Sequence, residues 1–98
     1  MRDIRVGPVL HAGPRADAVV AAIVASNEGV EVMDRGTYVR VTVRGVCRVT
    51  RGAIEAESGG SFVLPGDLER IMASFQGRLR VDDVGAVWWA GGEAEAPL

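Results

Sequence analysis

Apolar and polar positions alternate with period two from Ile4 to Leu10, with Ile4, Val6 and Leu10 on one side. That period predicts a strand. Pro8 has no N–H to give a ladder, so the strand is expected at a sheet edge or bent at that point. Pro14 stands where the first position of a helix belongs. Ala16 to Ser26 is rich in Ala, Val and Ile, and Asp17 brings negative charge to the positive end of the helix dipole. Val20, Ile23 and Val24 are expected to face the core, with Asn27 and Gly29 stopping the helix.

Val30 to Met33 reads as short and extended. Thr37 to Arg44 is the clearest strand: Val39, Val41 and Val43 point one way, and Tyr38, Arg40, Thr42 and Arg44 the other. Gly45 marks a turn or bulge, and Val46 to Thr50 is expected to return as a hairpin. Thr50 is placed to cap a short helix running to Ser58, which Ser58-Gly59-Gly60-Ser61 breaks. Pro65 to Phe75 predicts a helix, because Leu68, Ile71, Met72 and Phe75 form one apolar stripe and Gly77 fits the position after its end. Leu79 to Asp82 and Val84 to Trp89 read as two strands around Asp82-Asp83.

The order β-α-β-β-β-α-α-β-β predicts an α+β fold, a small single domain in which two to three helices pack on an antiparallel sheet. The ordered core is expected over about residues 4–89, with 90–98 a flexible tail.

The chain has 98 residues and a net charge of −2, which argues against a general nucleic-acid binder. All 11 basic residues are Arg. One Cys and one His cannot furnish a zinc or iron–sulfur site unaided. Arg2, Asp3 and Arg5 lead into a strand pattern instead of a signal peptide, and Ala16 to Ala25 is too short to span a bilayer, so a cytoplasmic protein is expected.

Candidate chemistry is sparse. His11 sits at a turn beside Gly13-Pro14, without the nucleophile and orienting partner a catalytic histidine needs. Cys47 reads as a small buried hydrophobe. Asp82-Asp83 falls in a turn that Asp favours on its own account, and Glu55-x-Glu57 on the polar side of a short helix. The 13 glycines are scattered at turns and do not form a phosphate cradle. No catalytic, cofactor-binding or metal-ligating residue is assigned.

Two features suggest docking. Tyr38, Arg40 and Arg44 share a strand face, with Arg48 and Arg51 near on the next segment; Arg and Tyr are enriched at interface hot spots. Trp88 and Trp89 must point to opposite faces of their strand. One is expected to pack against the Leu68–Phe75 helix and the other, Trp89, to be partly exposed as a possible anchor. The candidate partner-binding residues are therefore Tyr38, Arg40, Arg44, Arg48, Arg51 and Trp89.

The order and spacing of four motifs carry a resemblance. They are Asp34-Arg35-Gly36-Thr37-Tyr38-Val39-Arg40-Val41; Thr50-Arg51 followed by Ile54-Glu55; Phe62-x-Leu64; and Asp67-Leu68-Glu69 followed by Met72, Ser74-Phe75 and Gly77. With Val6-Gly7-Pro8 and Ala12-Gly13 ahead of them, they resemble the effector proteins of bacterial multicomponent diiron monooxygenases. These are the regulatory components of phenol hydroxylase and of toluene, alkene and soluble methane monooxygenases. The resemblance covers roughly residues 4 to 89. It implies a sheet-and-helix corner of two similar halves, no cofactor in this chain, and a diiron hydroxylase as partner, with competition or cooperation involving a reductase or ferredoxin. The function it implies is that of a non-catalytic effector tuning the hydroxylase for oxygen activation and for hydrocarbon hydroxylation or epoxidation. A small-molecule-sensing domain, and a small isomerase or cyclase using His11 or an acid pair, stand as alternatives.

Overall fold

The computed structural model describes residues 4–91. Along them run β1 (Arg5–His11), α1 (Pro14–Ser26), β2 (Glu31–Asp34), β3 (Tyr38–Arg44), β4 (Val46–Thr50), α2 (Arg51–Ser58), α3 (Gly66–Ile71), β5 (Met72–Gln76), β6 (Arg78–Val81) and β7 (Gly85–Trp89). The α+β class and element order are those expected, with β5 added. The strands form two antiparallel sheets instead of one: β2-β3-β1-β5 and β4-β7-β6. The expected C-terminal tail lies, from residue 92 onward, outside the described residues.

β1 is not an edge strand; it lies between β3 and β5. The strand accommodates Pro8 by an interruption. Arg5–Val6 pair with Val43–Arg44 and Val9–His11 with Tyr38–Arg40, leaving Gly7 and Pro8 unpaired on that side. The missing Pro8 N–H therefore costs no bond to β3. Gly7 is needed here because a Cβ would run into the Val41 carbonyl oxygen. On the other side the register to β5 shifts between Val9 and Leu10.

The expected β3–β4 hairpin does not form. Only Gly45 separates the two strands, too little chain to reverse direction within a sheet. The chain instead crosses into the second sheet, where Val46 pairs with Trp89 and Thr50 with Gly85. Gly45 ties the corner: its N–H donates to Ile4 at 2.8 Å, and its carbonyl accepts the N–H of Ala90 at 3.2 Å.

The helix expected over Pro65 to Phe75 stops at Ile71, and Met72–Gln76 is a strand. Leu10, Val9, Pro8 and Gly7 of β1 pair with Met72, Ser74, Phe75 and Gln76. Continuing the helix would leave that side of a buried strand without backbone partners, a cost that outweighs local periodicity. Phe75 is consequently not in a helix stripe and is 42% exposed. Gly77 is a second one-residue corner from the four-stranded sheet into the three-stranded one, not a helix terminus. Its φ is 92°, and a Cβ would lie 2.7 Å from Val6 Cγ1 and against the Trp89 carbonyl oxygen.

The core lies inside the angle between the sheets. Val6, Leu10, Val39, Val41 and Val43 come from one sheet and Cys47, Val49, Ala86 and Trp88 from the other; Val19, Ala22, Ile23, Ile54, Phe62, Leu64 and Leu68 fill between. α1 is turned slightly from its expected orientation. Ile23 is buried and Val20 packs at the margin, but Val24 is 49% exposed, and Val19 and Ala22 take the inward positions. Ile4, just ahead of β1, is also exposed.

The caps expected for α2 are present. Thr50 Oγ1 accepts the Ala53 N–H at 3.1 Å. Gly59 closes α2 in a left-handed conformation. The Leu64–Pro65 peptide bond ahead of α3 is cis. Asp82 Oδ1 accepts the N–H groups of Val84 at 2.8 Å and Gly85 at 3.0 Å, closing the β6–β7 hairpin at the expected place.

Candidate functional site

Each sheet turns one face to the core and leaves the other uncovered among the described residues. Residues paired across antiparallel strands project to the same side, so the registers define the outer faces. On the four-stranded sheet, Met33, Arg40, Val9 and Ser74 form one row across all four strands, and His11 pairs with Tyr38 beside it. Val9 is the buried floor of a depression of about 410 Å³ rimmed by His11, Tyr38, Arg40 and Ser74. At the other end, Arg5 lies across the face. Its guanidinium donates to Thr42 Oγ1 at 3.1 Å, Thr42 O at 2.9 Å and Gly29 O at 2.8 Å, and Glu31 is 3.3 Å away.

On the three-stranded sheet, Arg48, Val87 and Arg80 form one row and Val46, Trp89 and Arg78 the next. The three arginines are exposed, while Val46, Val87 and Trp89 between them are half-buried. A depression of about 310 Å³ lies among Arg48, Arg80, Val87, Gly85, Thr50 and Asp82. The Asp82 carboxyl is held below the usual carboxylate range by the N–H groups of Val84 and Gly85, with a smaller pull from Arg80. Trp88 is fully buried in the core that also contains Leu68. The indole N–H groups of both tryptophans are buried without a hydrogen-bond partner in the structure.

The candidate docking residues therefore divide. Tyr38, Arg40 and Arg44 lie on the four-stranded sheet, Arg48 and Trp89 on the three-stranded sheet, and Arg51 at the start of α2, 4.0 Å from Glu55. Arg78 and Arg80 join Arg48 and Trp89. Their signal in the sequence was the alternation Arg78-Leu79-Arg80-Val81, which puts both arginines on one side of β6.

The residues that nucleophilic or acid–base chemistry would use have other occupations. Burial pushes the Cys47 thiol up to about 12, so it stays protonated. Asp82 serves its turn, and Glu55 Oε2 accepts the Phe62 N–H at 2.9 Å. His11 belongs to the four-stranded sheet, apart in the topology from the Asp82 turn. Among the described residues, no group of three or more His, Cys, Asp or Glu is placed to hold a metal ion. A groove of about 470 Å³ between α1 and α2 is lined in part by Arg15, Asp17, Glu57 and Phe62. Arg15 stacks over Phe62 at 5.7 Å and pairs with Asp67 at 3.1 Å, so the cation there is already engaged.

No helix among the described residues is long and apolar enough to cross a membrane. The effector subunit of the alkene monooxygenase system of Xanthobacter autotrophicus (strain Py2) is 46% identical over 91 residues, covering 91% of this chain and 89% of that protein. A chain in the structure of a phenol hydroxylase–regulatory protein complex superposes with a TM-score of 0.75 over 90% of this chain and 98% of its own length. At 14% identity, that likeness speaks for the fold. The model of the MmoB/DmpM family matches residues 4–89, so the chain belongs to that family.

Proposed function

We propose that this protein is the effector component of a diiron monooxygenase of the alkene-oxidising kind, acting by binding the hydroxylase and not by catalysing a reaction itself. The observation that carries the proposal is the 46% identity, along nearly the whole of both chains, to a protein named as the effector subunit of an alkene monooxygenase system. The sheet-and-helix fold shared with a chain of a phenol hydroxylase–regulatory protein complex supports it. In this reading residues 4–89 form the one functional domain, and the diiron centre and all redox chemistry belong to the partner. In this reading the assembly works in the cytoplasm.

The mechanism follows from linkage. An effector changes turnover by binding one state of the hydroxylase more tightly than another. Converting a mostly unproductive population into a mostly productive one takes about 5 kcal/mol of differential binding. A contact of roughly 800 Å² per partner can support that, and either uncovered sheet face belongs to a molecule large enough to supply it. The candidate contacts are Tyr38, Arg40, Arg44, Arg48, Arg51 and Trp89, extended by Arg78 and Arg80. A reductase or ferredoxin must reach the same hydroxylase, so it competes or cooperates with this protein there.

Steady-state turnover of the hydroxylase and reductase from the same source tests the proposal, with product and NADH measured together while this protein is titrated. Product rate and coupling should rise and saturate near one effector per active site. Repeating the titration at several reductase concentrations separates competition from cooperation. No response of either quantity would sink the reading.

A further inference from the structure

The depression of about 410 Å³ on the four-stranded sheet has a one-sided chemistry. Its lining holds one fixed cation, Arg40, donors from His11, Tyr38 and Ser74, apolar surface from Val9 and Ala73, and no carboxylate. These four polar side chains make no hydrogen bond or ion pair with another described residue. The acids of β2 are committed elsewhere. Glu31 borders a neighbouring depression with Arg40, but it lies 3.3 Å from the Arg5 guanidinium. Asp34 Oδ1 accepts the Gly36 N–H at 2.8 Å.

Strand register builds this lining. Val9 pairs with Arg40 on one side and Ser74 on the other, so the cation and the hydroxyl stand on strands flanking an apolar floor. Their backbones are two interstrand spacings, roughly 10 Å, apart. The His11–Tyr38 pair lies one repeat, roughly 7 Å, further along the strands. β5 is bulged at this point: Leu10 pairs with Met72 and Val9 with Ser74, which leaves Ala73 as the extra residue. A bulge breaks the alternation of sides, and Ala73 and Ser74 both line the depression. The volume is in the range of small-ligand sites. A guanidinium presents paired donors that match one carboxylate, and hydroxyl and imidazole N–H groups can donate to its remaining lone pairs. One fixed cation balances one negative charge, which suits a monocarboxylate better than a phosphate dianion.

We infer that this depression is a binding site for a small organic monocarboxylate, with the carboxylate held by Arg40 and the donors of Ser74, Tyr38 and His11, and its apolar stem laid over Val9 and Ala73. The site belongs to this chain alone and does not depend on the effector reading.

The test is a titration of the full chain, alone, with sodium butyrate, butyramide or inorganic phosphate. Backbone amide NMR shifts are followed at constant ionic strength, since salt screens exposed charges. Butyrate should produce saturable shifts at Val9, His11, Arg40 and Ser74, with half-saturation at about 1 mM, as befits a small ligand in an open site. Butyramide has the same shape without the charge, and it and phosphate should each bind at least about tenfold more weakly. Arg40→Gln should raise the butyrate half-saturation by about tenfold or more. Arg70→Gln, which removes an exposed arginine on α3, should leave it unchanged. Both side chains are exposed, and unchanged thermal melting checks that each variant is folded. Butyrate shifts that do not saturate, or that centre on other residues, overturn the inference. So does an Arg40→Gln variant that binds butyrate as well as wild type. Butyramide or phosphate binding as tightly as butyrate overturns the assignment to a carboxylate.

Discussion

Asn27 and Arg48 hold each other by a two-way hydrogen bond: Asn27 Nδ2 donates to the Arg48 carbonyl at 2.7 Å, and Asn27 Oδ1 accepts the Arg48 N–H at 3.0 Å. The same Nδ2 donates to Ile23 O at 2.9 Å. β4 is an edge strand, and the side-chain amide stands in for the peptide group of a neighbouring strand. One residue thereby ends α1, occupies the open edge of β4 and fixes the backbone from which Arg48 projects. Asn27→Ala should destabilise the fold by about 1–3 kcal/mol. Asn27→Asp, which keeps only the acceptor, should be intermediate. Urea unfolding followed by tryptophan fluorescence measures both.

Gly77 and Gly36 separate backbone strain from collision. Both have positive φ, but a Cβ at Gly36 meets nothing within 4 Å, whereas one at Gly77 strikes Val6 and the Trp89 carbonyl. Gly36→Ala should cost about 1–2 kcal/mol. Gly77→Ala should cost more, about 3 kcal/mol or above, because the corner between the sheets must open. Paired thermal melts distinguish the two.

The inward face of α1 is decided by Ile23 and Val24, which are adjacent but 0% and 49% exposed. Ile23→Ala should lose about 2–5 kcal/mol, and Val24→Ala should stay within about 0.5 kcal/mol of wild type. Equal losses in chemical denaturation would mean that α1 is rotated relative to the core.

Acid should loosen the two turns that use carboxylates. Asp82 lies below its ordinary value of 3.8 because the Val84 and Gly85 N–H groups bond its ionised form. Asp67 lies below the same value of 3.8 mainly through the Val63 N–H, then through Arg15. The unfolded chain binds these protons more readily, so their stabilisation is complete above the unfolded value and drains away as pH falls through the folded ones. Asp82→Asn together with Asp67→Asn should flatten the loss of stability between about pH 5 and pH 2. Urea midpoints across that range give the comparison.

Cys47 should be inert while the protein is folded. Its side chain is buried and its thiol is raised to about 12, so almost no thiolate exists at neutral pH. Labelling by a disulfide reagent should proceed at the rate of opening, and should accelerate in denaturant in step with unfolding.

Much of the local structure was legible in the residues. Val39, Val41 and Val43 declared β3 and its inward side; Thr50 declared a helix start; Asp82-Asp83 declared a hairpin turn. Each depends on neighbours in the chain. The apolar stripe from Leu68 to Phe75 misled because Ile71 and Met72 satisfy helix and strand patterns alike, and the choice at Met72 rests on β1, about sixty residues earlier. Pro8 left two outcomes open, a sheet edge or a bend; the strand is not at an edge, and the interrupted ladder at Gly7-Pro8 lets it sit inside the sheet.

The candidate contact set was less legible than the fold. Alternation shows that Tyr38 and Arg40 share a side, and likewise Arg78 and Arg80, but says nothing about which strands lie together. The sequence by itself determined the α+β class, most elements and the residues free to face water, because propensity, caps and periodicity are local. Only the tertiary structure decided that Gly45 and Gly77 pass the chain between two sheets. It alone separated Arg40 from Arg48 and brought Arg48, Arg78, Arg80 and Trp89 onto one face, because strand pairing joins backbone groups distant in the chain wherever burial leaves them without water.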